Sequence, residues 1–295
     1  MVAEGQRPAK WCPLACAPPP LGAAGGAPFP FGCCCGPPAE VRLLAVLKQD
    51  LLVQVHGMFR REGRIVELLV DRPAVFVGDT HGDRDASERV LERFPPGENV
   101  LIFLGDYVDR GPDSLGNLML LFATKLAHPD HVHLLMGNHE AWAVQRFSPA
   151  DFWERLPPSE AKILEETLAA LPFSAHHPAG VLALHGALPD VEDVAAIAQV
   201  RLGSAGWRAM TWGDWEDGPG YAFGAGLSGR PAFGGDYFRE VADRLGIRVL
   251  VRSHQPGAPM FLYGDRCLTL FTSRAYGGTV RRVAVLPAGR APRWE

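Results

Sequence analysis

Residue types that bind metal ions and phosphate recur at the ends of short apolar segments in this sequence. Three such segments are followed by the motifs GDTHG at 78–82, GDYVDRG at 105–111 and GNHE at 137–140. Two further segments end at His185 and His254. The glycines allow the backbone to turn sharply beside a ligand. Because open α/β sheets place their sites at the carboxyl ends of strands, we expect these polar side chains to share one site.

Six of the side chains can ligate a divalent cation, and they are Asp79, His81, Asp106, Asn138, His185 and His254. Their carboxylate, amide and imidazole groups suit two transition-metal ions better than one structural zinc, and the carboxylate of Asp106 would bridge the two ions. Two ions about 3.5 to 4 Å apart can clamp a phosphoryl group for in-line attack. Any one of these residues alone fits an ordinary turn or core position, but their recurrence at successive strand ends favours the metal site.

The rest of the chain predicts the elements that position this site. Apolar runs bounded by turn residues predict buried strands at 74–77, 100–104, 132–136, 181–184, 249–251, 268–271 and 280–286. Helical spacing of apolar residues predicts helices at 41–59, 86–94, 114–127, 159–171, 191–200 and 236–245. Strands that alternate with helices indicate the α/β class, with sheets in the middle.

Composition divides the chain into one domain with two tails. Residues 1–38 are rich in Pro and Gly and hold five of the six cysteines. They have no paired C-x-x-C motif and no nearby His for a zinc site, so a disordered tail is favoured over a zinc or redox site. We expect a single catalytic domain at 39–288 and an exposed C-terminal tail at 289–295.

Net charge and hydropathy limit the classes of partner that the chain can be expected to bind. The formal net charge is 29 − 33 = −4, which argues against a dedicated nucleic-acid binder. No segment approaches the roughly 18 to 20 apolar residues of a membrane span. The N-terminus lacks the basic and apolar regions of a signal peptide, so the expected location is the cytoplasm, with no membrane partner.

The three motifs match the pattern G-D-x-H-G, G-D-x-V-D-R-G and G-N-H-E letter for letter and in order. In this the chain resembles the metal-dependent phosphoprotein phosphatases, the serine/threonine phosphatases of the calcineurin-like metallophosphoesterase superfamily, over roughly residues 73–285. The resemblance implies a layered metallophosphoesterase fold, in which a central β-sandwich of mixed sheets is flanked by helices. It also implies a dimetal site at the carboxyl ends of the strands.

The resemblance further implies a role for each motif residue. The first metal would be held by Asp79, His81 and Asp106, and the second by Asp106, Asn138, His185 and His254. His139 would be the general acid, oriented by Asp109. The substrate phosphate would be bound by Arg110, Asn138, Arg230 and Tyr276.

Departures from the eukaryotic pattern indicate a prokaryotic-type member. Met136 stands where those relatives have Arg before GNHE, and SRAYG at 273–277 replaces their Ser-Ala-Pro-Asn-Tyr. Outside the motifs, we expect three tryptophans to be core anchors, namely Trp207, Trp212 and Trp215. We expect five other residues to be solvated, namely His128, His131, His133, Arg281 and Arg282. His176 and His177 are expected in a loop.

The resulting functional hypothesis is a phosphomonoesterase that hydrolyses phosphoserine and phosphothreonine in proteins, by direct attack of a metal-bridging hydroxide. The expected cofactors are two divalent metal ions, Mn²⁺ first, with Fe or Zn²⁺ as alternatives. The expected partner is a phosphoprotein or phosphopeptide, with no regulatory subunit evident. The main alternative is a symmetrical diadenosine tetraphosphatase or another small-molecule phosphohydrolase of the superfamily. The Asp109-Arg110 pair and Glu140 favour the phosphatase, and a non-catalytic binding module would have lost His139 or Asp109.

Overall fold

The computed structural model of this chain describes residues 39–68, 71–222, 229–278 and 280–289. The predicted N-terminal tail at 1–38 lies outside these residues, as does all but the first residue of the predicted C-terminal tail. The boundaries of the single catalytic domain therefore stay a prediction.

The elements alternate along the chain much as the apolar pattern predicts. The helices are α1 (Ala39–Glu62), α2 (Arg84–Arg93), α3 (Ser114–Ala127), α4 (Pro158–Leu168), α5 (Ala205–Trp212) and α6 (Gly235–Arg244), with 3₁₀ helices at Trp153–Arg155 and Ala195–Gln199. The strands are β1 (Ile65–Glu67), β2 (Ala74–Val77), β3 (Val100–Phe103), β4 (Val132–Leu134), β5 (Ser174–His177), β6 (Val181–Leu184), β7 (Asp214–Trp215), β8 (Tyr221–Ala222), β9 (Ala232–Phe233), β10 (Val249–Arg252), β11 (Phe261–Leu262), β12 (Cys267–Thr269) and β13 (Val283–Leu286). Among the described residues, no helix is both long enough and apolar enough to span a bilayer.

Two mixed sheets form the centre of the fold. The larger has the strand order β1-β5-β6-β10-β12-β11, and the smaller has the order β13-β2-β3-β4. Strands β2, β3 and β4 are parallel neighbours in the smaller sheet, and β6 and β10 are parallel neighbours in the larger. These five strands are the ones that precede the polar motifs. A short third sheet, β7-β9-β8, is formed by the segment between β6 and β10.

The two large sheets pack through the inner faces of their strands. On β2, Ala74 and Phe76 belong to an apolar cluster that also contains Ala183 of β6 and Val251 of β10. The alternate residues of β2 belong to a second cluster, which includes residues of α1 and α3. All four residues of β2 are fully buried, which explains why this strand is a continuous apolar run. The arrangement confirms the predicted sandwich of mixed sheets flanked by helices.

A few segments differ from the sequence prediction. The predicted helix at 191–200 is only the 3₁₀ helix Ala195–Gln199. His176 and His177 were wrongly placed in a loop, because they lie on β5 between β1 and β6. Pairing with two neighbouring strands imposes an extended backbone there that the local composition does not indicate.

Candidate metal centre

The carboxyl ends of the parallel strands bring the predicted ligands together. Asp79, Asp106 and Asn138 follow β2, β3 and β4, and the two histidines follow β6 and β10. The two sheets are tied at this edge because the Asp79 backbone N–H donates to Ser253 Oγ at 2.8 Å. The Ser253 hydroxyl in turn donates to Asp79 Oδ1. Residues from both sheets therefore line one buried site.

The backbone at this edge is held in an uncommon conformation. Positive φ angles occur at His81 (43°), Asp106 (55°), Asp109 (66°), Arg110 (70°) and His254 (74°). A non-glycine residue in this region costs on the order of 1 to 3 kcal/mol and persists only where surrounding contacts hold it. All five are predicted site residues. Among the described residues only two other non-glycine positions, Tyr263 and Asp265, have a positive φ, so the strain is concentrated at the candidate site.

Glu140 supplies part of the restraint. Its carboxylate accepts hydrogen bonds from the backbone N–H groups of Asp106 at 2.7 Å, Tyr107 at 2.8 Å and Gly137 at 3.0 Å. Gly137 is required here, since a Cβ on it would lie 2.3 Å from Asp106 Oδ1. Burial, reinforced by the charge of Asp106, raises the pKa of Glu140 to about 8. This anchoring contact was not predicted from the sequence, where Glu140 only favoured one substrate class over another.

The first group of donors surrounds His81. Its Nδ1 lies 2.9 Å from the carbonyl oxygen of Val108, so this nitrogen carries the proton and donates it. In the neutral ring the Nε2 lone pair then faces Asp79 Oδ2 and Asp106 Oδ2, each at 3.6 Å. Asp79 Oδ2 is buried and has no hydrogen-bond partner. A lone pair and two carboxylate oxygens thus converge on the same space.

The second group surrounds His185. Its Nδ1 lies 2.9 Å from the carbonyl oxygen of Leu104, which again leaves Nε2 as the inward-facing atom. That Nε2 lies 3.2 Å from Asn138 Oδ1, 3.4 Å from Asp106 Oδ1 and 3.2 Å from His254 Nδ1. Burial, followed by the charges of His185 and Arg230, holds the pKa of His254 well below its ordinary range. A neutral imidazole is the form that binds metals.

The charge balance of the two groups fits bound cations. Burial disfavours the charged ring of His81, yet Asp79 and Asp106 outweigh it and raise the pKa of His81 to about 9. The buried carboxylates therefore require positive charge nearby. Ligand atoms of His81 and Asp106 lie within 4.8 Å of one another, with His139 beside them, and those of Asp106, His185 and His254 are equally close. Asp106 is common to both groups, so the donor set fits two divalent cations that share this residue.

His139 and Asp109 form a buried pair beside the cluster. His139 Nδ1 lies 2.6 Å from Asp109 Oδ2, and Asp109 Oδ1 accepts from the backbone N–H of Phe152 at 2.7 Å. The opposite ring nitrogen, Nε2, is 3.9 Å from Asp106 Oδ2. The indole of Trp153 donates to the His139 carbonyl at 2.8 Å and fixes its backbone. This geometry suits a proton donor directed at the metal cluster.

Two predicted phosphate ligands lie on different sides of the cluster. Arg110 is half-buried and lies near Tyr276, whose ring centroid is 5.4 Å from that of His81. Burial raises the pKa of the Tyr276 hydroxyl, although the charge of Arg110 opposes the shift. Arg230 is at the second donor group, where its Nη1 lies 3.3 Å from His254 Nε2. All of the predicted site residues therefore meet at this edge, and the role of each stays a prediction.

Asp214 is a further member that sequence reasoning missed. Its Oδ1 lies 3.4 Å from His254 Nε2 and 3.8 Å from Arg230 Nη1. Burial raises the pKa of this carboxyl, although the charge of Arg230 opposes the shift. Asp214 belongs to the short strand β7, and no motif in the sequence marks it.

The residues outside the motifs divide into expected and unexpected cases. Trp207, Trp212 and Trp215 are buried as predicted. His133 and Arg281 were wrongly expected to be solvated. His133 is buried against Glu62, and Arg281 is half-buried and paired with acidic residues at the start of α2. Each depends on an acidic partner that is distant in sequence.

Comparison with known families identifies the class of protein. The calcineurin-like phosphoesterase family matches residues 72–258, which is more than half of the chain. The chain belongs to this family and is a phosphoesterase, and the predicted metallophosphoesterase fold is confirmed. Divalent metals are the cofactors of this family, in keeping with the two donor groups.

Two relatives of this chain are described as serine/threonine-protein phosphatases. The "Probable serine/threonine-protein phosphatase" of Encephalitozoon cuniculi is 30% identical over 219 residues, which are 68% of this chain and 47% of that protein. Human serine/threonine-protein phosphatase 5 is 28% identical over 245 residues, which are 77% of this chain and 48% of that protein. The chain thus spans about half the length of these two relatives.

Solved structures show how widely the fold is shared. A Saccharomyces cerevisiae protein serine/threonine phosphatase with similarity to human PP5 has a TM-score of 0.70 at 22% identity, covering 83% of both chains. A protein proposed to be a diadenosine tetraphosphatase has a TM-score of 0.51 at 23% identity, covering 77% of this chain and 96% of that one. The fold alone therefore does not choose between these two substrate classes.

Proposed function

We propose that this phosphoesterase hydrolyses phosphoserine and phosphothreonine in proteins or peptides. The observation that carries the proposal is the 2.6 Å contact between His139 Nδ1 and Asp109 Oδ2. Serine and threonine leave as alkoxides, which are poor leaving groups and need a proton in the transition state. The phosphate leaving group of a dinucleoside polyphosphate has much less need of one. A buried imidazole that is oriented by a carboxylate therefore suits a phosphate ester of an alcohol, because it can protonate the leaving alkoxide.

The remaining residues have complementary roles in this proposal. Arg110 and Arg230 are planar donors that match phosphate oxygens and stay charged at any working pH. The Asn138 side chain orients the substrate beside them. Two divalent cations bound at the donor groups, Mn²⁺ being the first choice, would supply Lewis acidity for the phosphoryl group. Asp109 orients His139, and His139 protonates the departing oxygen.

The test measures phosphate release by the Mn²⁺-loaded protein from a phosphothreonine peptide and from diadenosine tetraphosphate, with a chelator control. Preference for the peptide supports the proposal. Cleavage of the nucleotide alone would move the chain to the small-molecule hydrolases.

A substitution of His139 tests whether this residue is the proton donor. His139→Asn should lower turnover of the phosphothreonine peptide by about 10² to 10⁴-fold, the usual contribution of a general acid. Metal content per chain, measured by atomic emission, should not change. A substrate with a much better leaving group should lose less, and equal losses on both substrates would contradict the role of His139 as proton donor.

A further inference from the structure

A surface loop overhangs the first donor group and is closed at its base. We call residues 272–282 the 272–282 loop, of which residue 279 lies outside the described residues. Thr272 Oγ1 donates to the carbonyl of Arg282 at 2.6 Å, and the Arg282 N–H donates to the carbonyl of Phe271 at 2.8 Å. Near its tip the loop carries Tyr276, whose ring contacts that of His81 and which lies near Arg110. The conformation of this loop therefore decides where Tyr276 lies.

Asp83 joins the loop to the first motif. It caps the N-terminus of α2, where Oδ1 accepts from the N–H of Ala86 at 3.3 Å. The same carboxylate accepts the backbone N–H of Arg274 at 2.9 Å. It also accepts Arg281 Nε at 3.0 Å and Arg281 Nη2 on its second oxygen. The side chains of Asp83 and Arg281 are only 10% and 18% exposed.

We propose that the ion pair of Asp83 and Arg281 is a clamp that holds Tyr276 over His81 and beside Arg110, where the Tyr276 hydroxyl lines the site of the substrate phosphate. Asp83 and Arg281 are thus positioning residues that act through Tyr276. The inference depends on the proposed function only for the place of the substrate phosphate beside Arg110.

The geometry of the ion pair makes it a firm restraint on the loop. A carboxylate and a guanidinium joined by two parallel bonds fix both distance and orientation, and partial burial limits screening by solvent. The Arg110 backbone is fixed separately, because its N–H donates to Asp151 Oδ1 at 3.0 Å. Loss of the ion pair would therefore move Tyr276 and leave the Arg110 backbone in place.

The expected signature is a change in phosphate binding rather than in chemistry. In Arg281→Met, the KM for p-nitrophenyl phosphate and the Ki for inorganic phosphate should both rise about tenfold, since small misplacements of binding groups have effects of this size. The kcat should stay within about twofold, because His139 and the metal ligands are untouched.

Asp85→Asn is the matched control. Asp85 also contacts Arg281, through Nη1 at 2.5 Å, but its side chain is 55% exposed and it makes no contact with the 272–282 loop backbone among the described residues. This variant should leave KM and Ki unchanged, because exposed ion pairs contribute little. An effect as large as that of Arg281→Met would show that general charge around Arg281 matters, and would overturn the specific clamp.

A double-variant cycle tests whether the clamp acts through Tyr276. Tyr276→Phe removes the hydroxyl that lies near Arg110, so it should raise KM and Ki as Arg281→Met does. If the clamp acts through that hydroxyl, Arg281→Met adds nothing in the Tyr276→Phe background. If the two substitutions instead raise KM and Ki by factors that multiply in the double variant, the proposal is overturned.

Two milder variants cover the case in which Arg281→Met fails to fold. Asp83→Asn keeps an acceptor for the α2 cap but loses the charge, and Arg281→Lys keeps the charge but loses the fork. Both should raise KM and Ki, and both should speed hydrogen exchange at the Arg274 amide in the metal-free protein. Unchanged values in both variants would refute the clamp. Because these probes are not phosphopeptides, rejection of phosphopeptides would refute the proposed function and leave this test intact.

Discussion

Two buried clusters of charged side chains in this molecule are built on opposite principles. The first, which we call the Glu62 cluster, consists of Glu62, Lys125 and His133. Lys125 Nζ donates to Glu62 Oε1 and to the carbonyl of Pro129, and His133 Nδ1 lies 2.9 Å from the same carboxylate oxygen. Although Glu62 Oε2 has no hydrogen-bond partner, the charge of the carboxylate is met by the Lys125 ammonium. In this cluster the protein itself supplies the cation that the buried carboxylate needs.

The metal centre is not complete in the same way. Asp79 and Asp106 are buried without a lysine or arginine paired to either carboxylate among the described residues. Their neighbours are imidazoles, whose inward nitrogens carry lone pairs when neutral. A buried carboxylate that is paired with a lysine of the same protein thus serves stability. Buried carboxylates that face imidazole lone pairs instead indicate a site for a cation.

The largest effect is expected where the shared metal ligand is changed. Asp106→Asn removes the carboxylate common to both donor groups and should lower the bound metal from two ions per chain. Because a metal supplies several kcal/mol to phosphoryl transfer, activity should fall by about 10³-fold or more. Metal analysis and phosphatase assays measure this, and a variant that still binds two ions per chain would contradict the shared role of Asp106.

A smaller effect, and on stability alone, is expected in the other cluster. Lys125→Met leaves Glu62 buried without its cation and should reduce the free energy of unfolding by about 3 kcal/mol. Urea denaturation measures the loss. The kcat of folded Lys125→Met should match wild type, and adding Glu62→Gln should restore part of the stability. Loss of metal from this variant would erase the distinction between the clusters.

Chelation should act on the metal centre only. If each cation is present at about 100 times its Kd, chelation should reduce the free energy of unfolding by about 2.7 kcal/mol for each ion removed. Thermal denaturation with and without chelator measures the change. The same shift should occur in Glu62→Gln, since that cluster needs no ion, and a Tm indifferent to chelator would count against bound metal in the native protein.

The smallest effect concerns acid stability. Burial opposes ionisation of Glu62, but the His133 and Lys125 contacts prevail and lower its pKa below the ordinary value of 4.5. A carboxyl with a lowered pKa in the folded state stabilises the fold above its unfolded pKa and loses that contribution as pH falls through its folded pKa. The stability difference between wild type and Glu62→Gln should therefore shrink below pH 4.5. A difference that grows on acidification would reverse the sign assigned to Glu62.

Much of the fold and site was predictable because the information is local. Each motif combines glycines, which permit sharp turns, with metal-binding side chains placed directly after an apolar run. The run at 74–77 is a strand with the predicted bounds, and the run at 181–184 is another. For these segments the residue types alone predict the strand, its end and the polar group that follows.

The features that were not predicted from the sequence depend on contacts between segments that are distant in the chain. Strand β5 exists because β1 and β6 pair with it. His133 is buried because Glu62 reaches it from α1, and Arg281 is held because Asp83 lies across the loop.

The metal-binding motifs, the strands that carry them, the shared role of Asp106 and the family resemblance are thus predictable from the sequence, since each depends on neighbours in the chain or on the motifs. The anchoring of the backbone by Glu140 and the contact of Asp214 with His254 appear only once the chain has folded. The reason is physical: charge compensation and burial depend on distances between side chains, and those distances are set when the two sheets pack together.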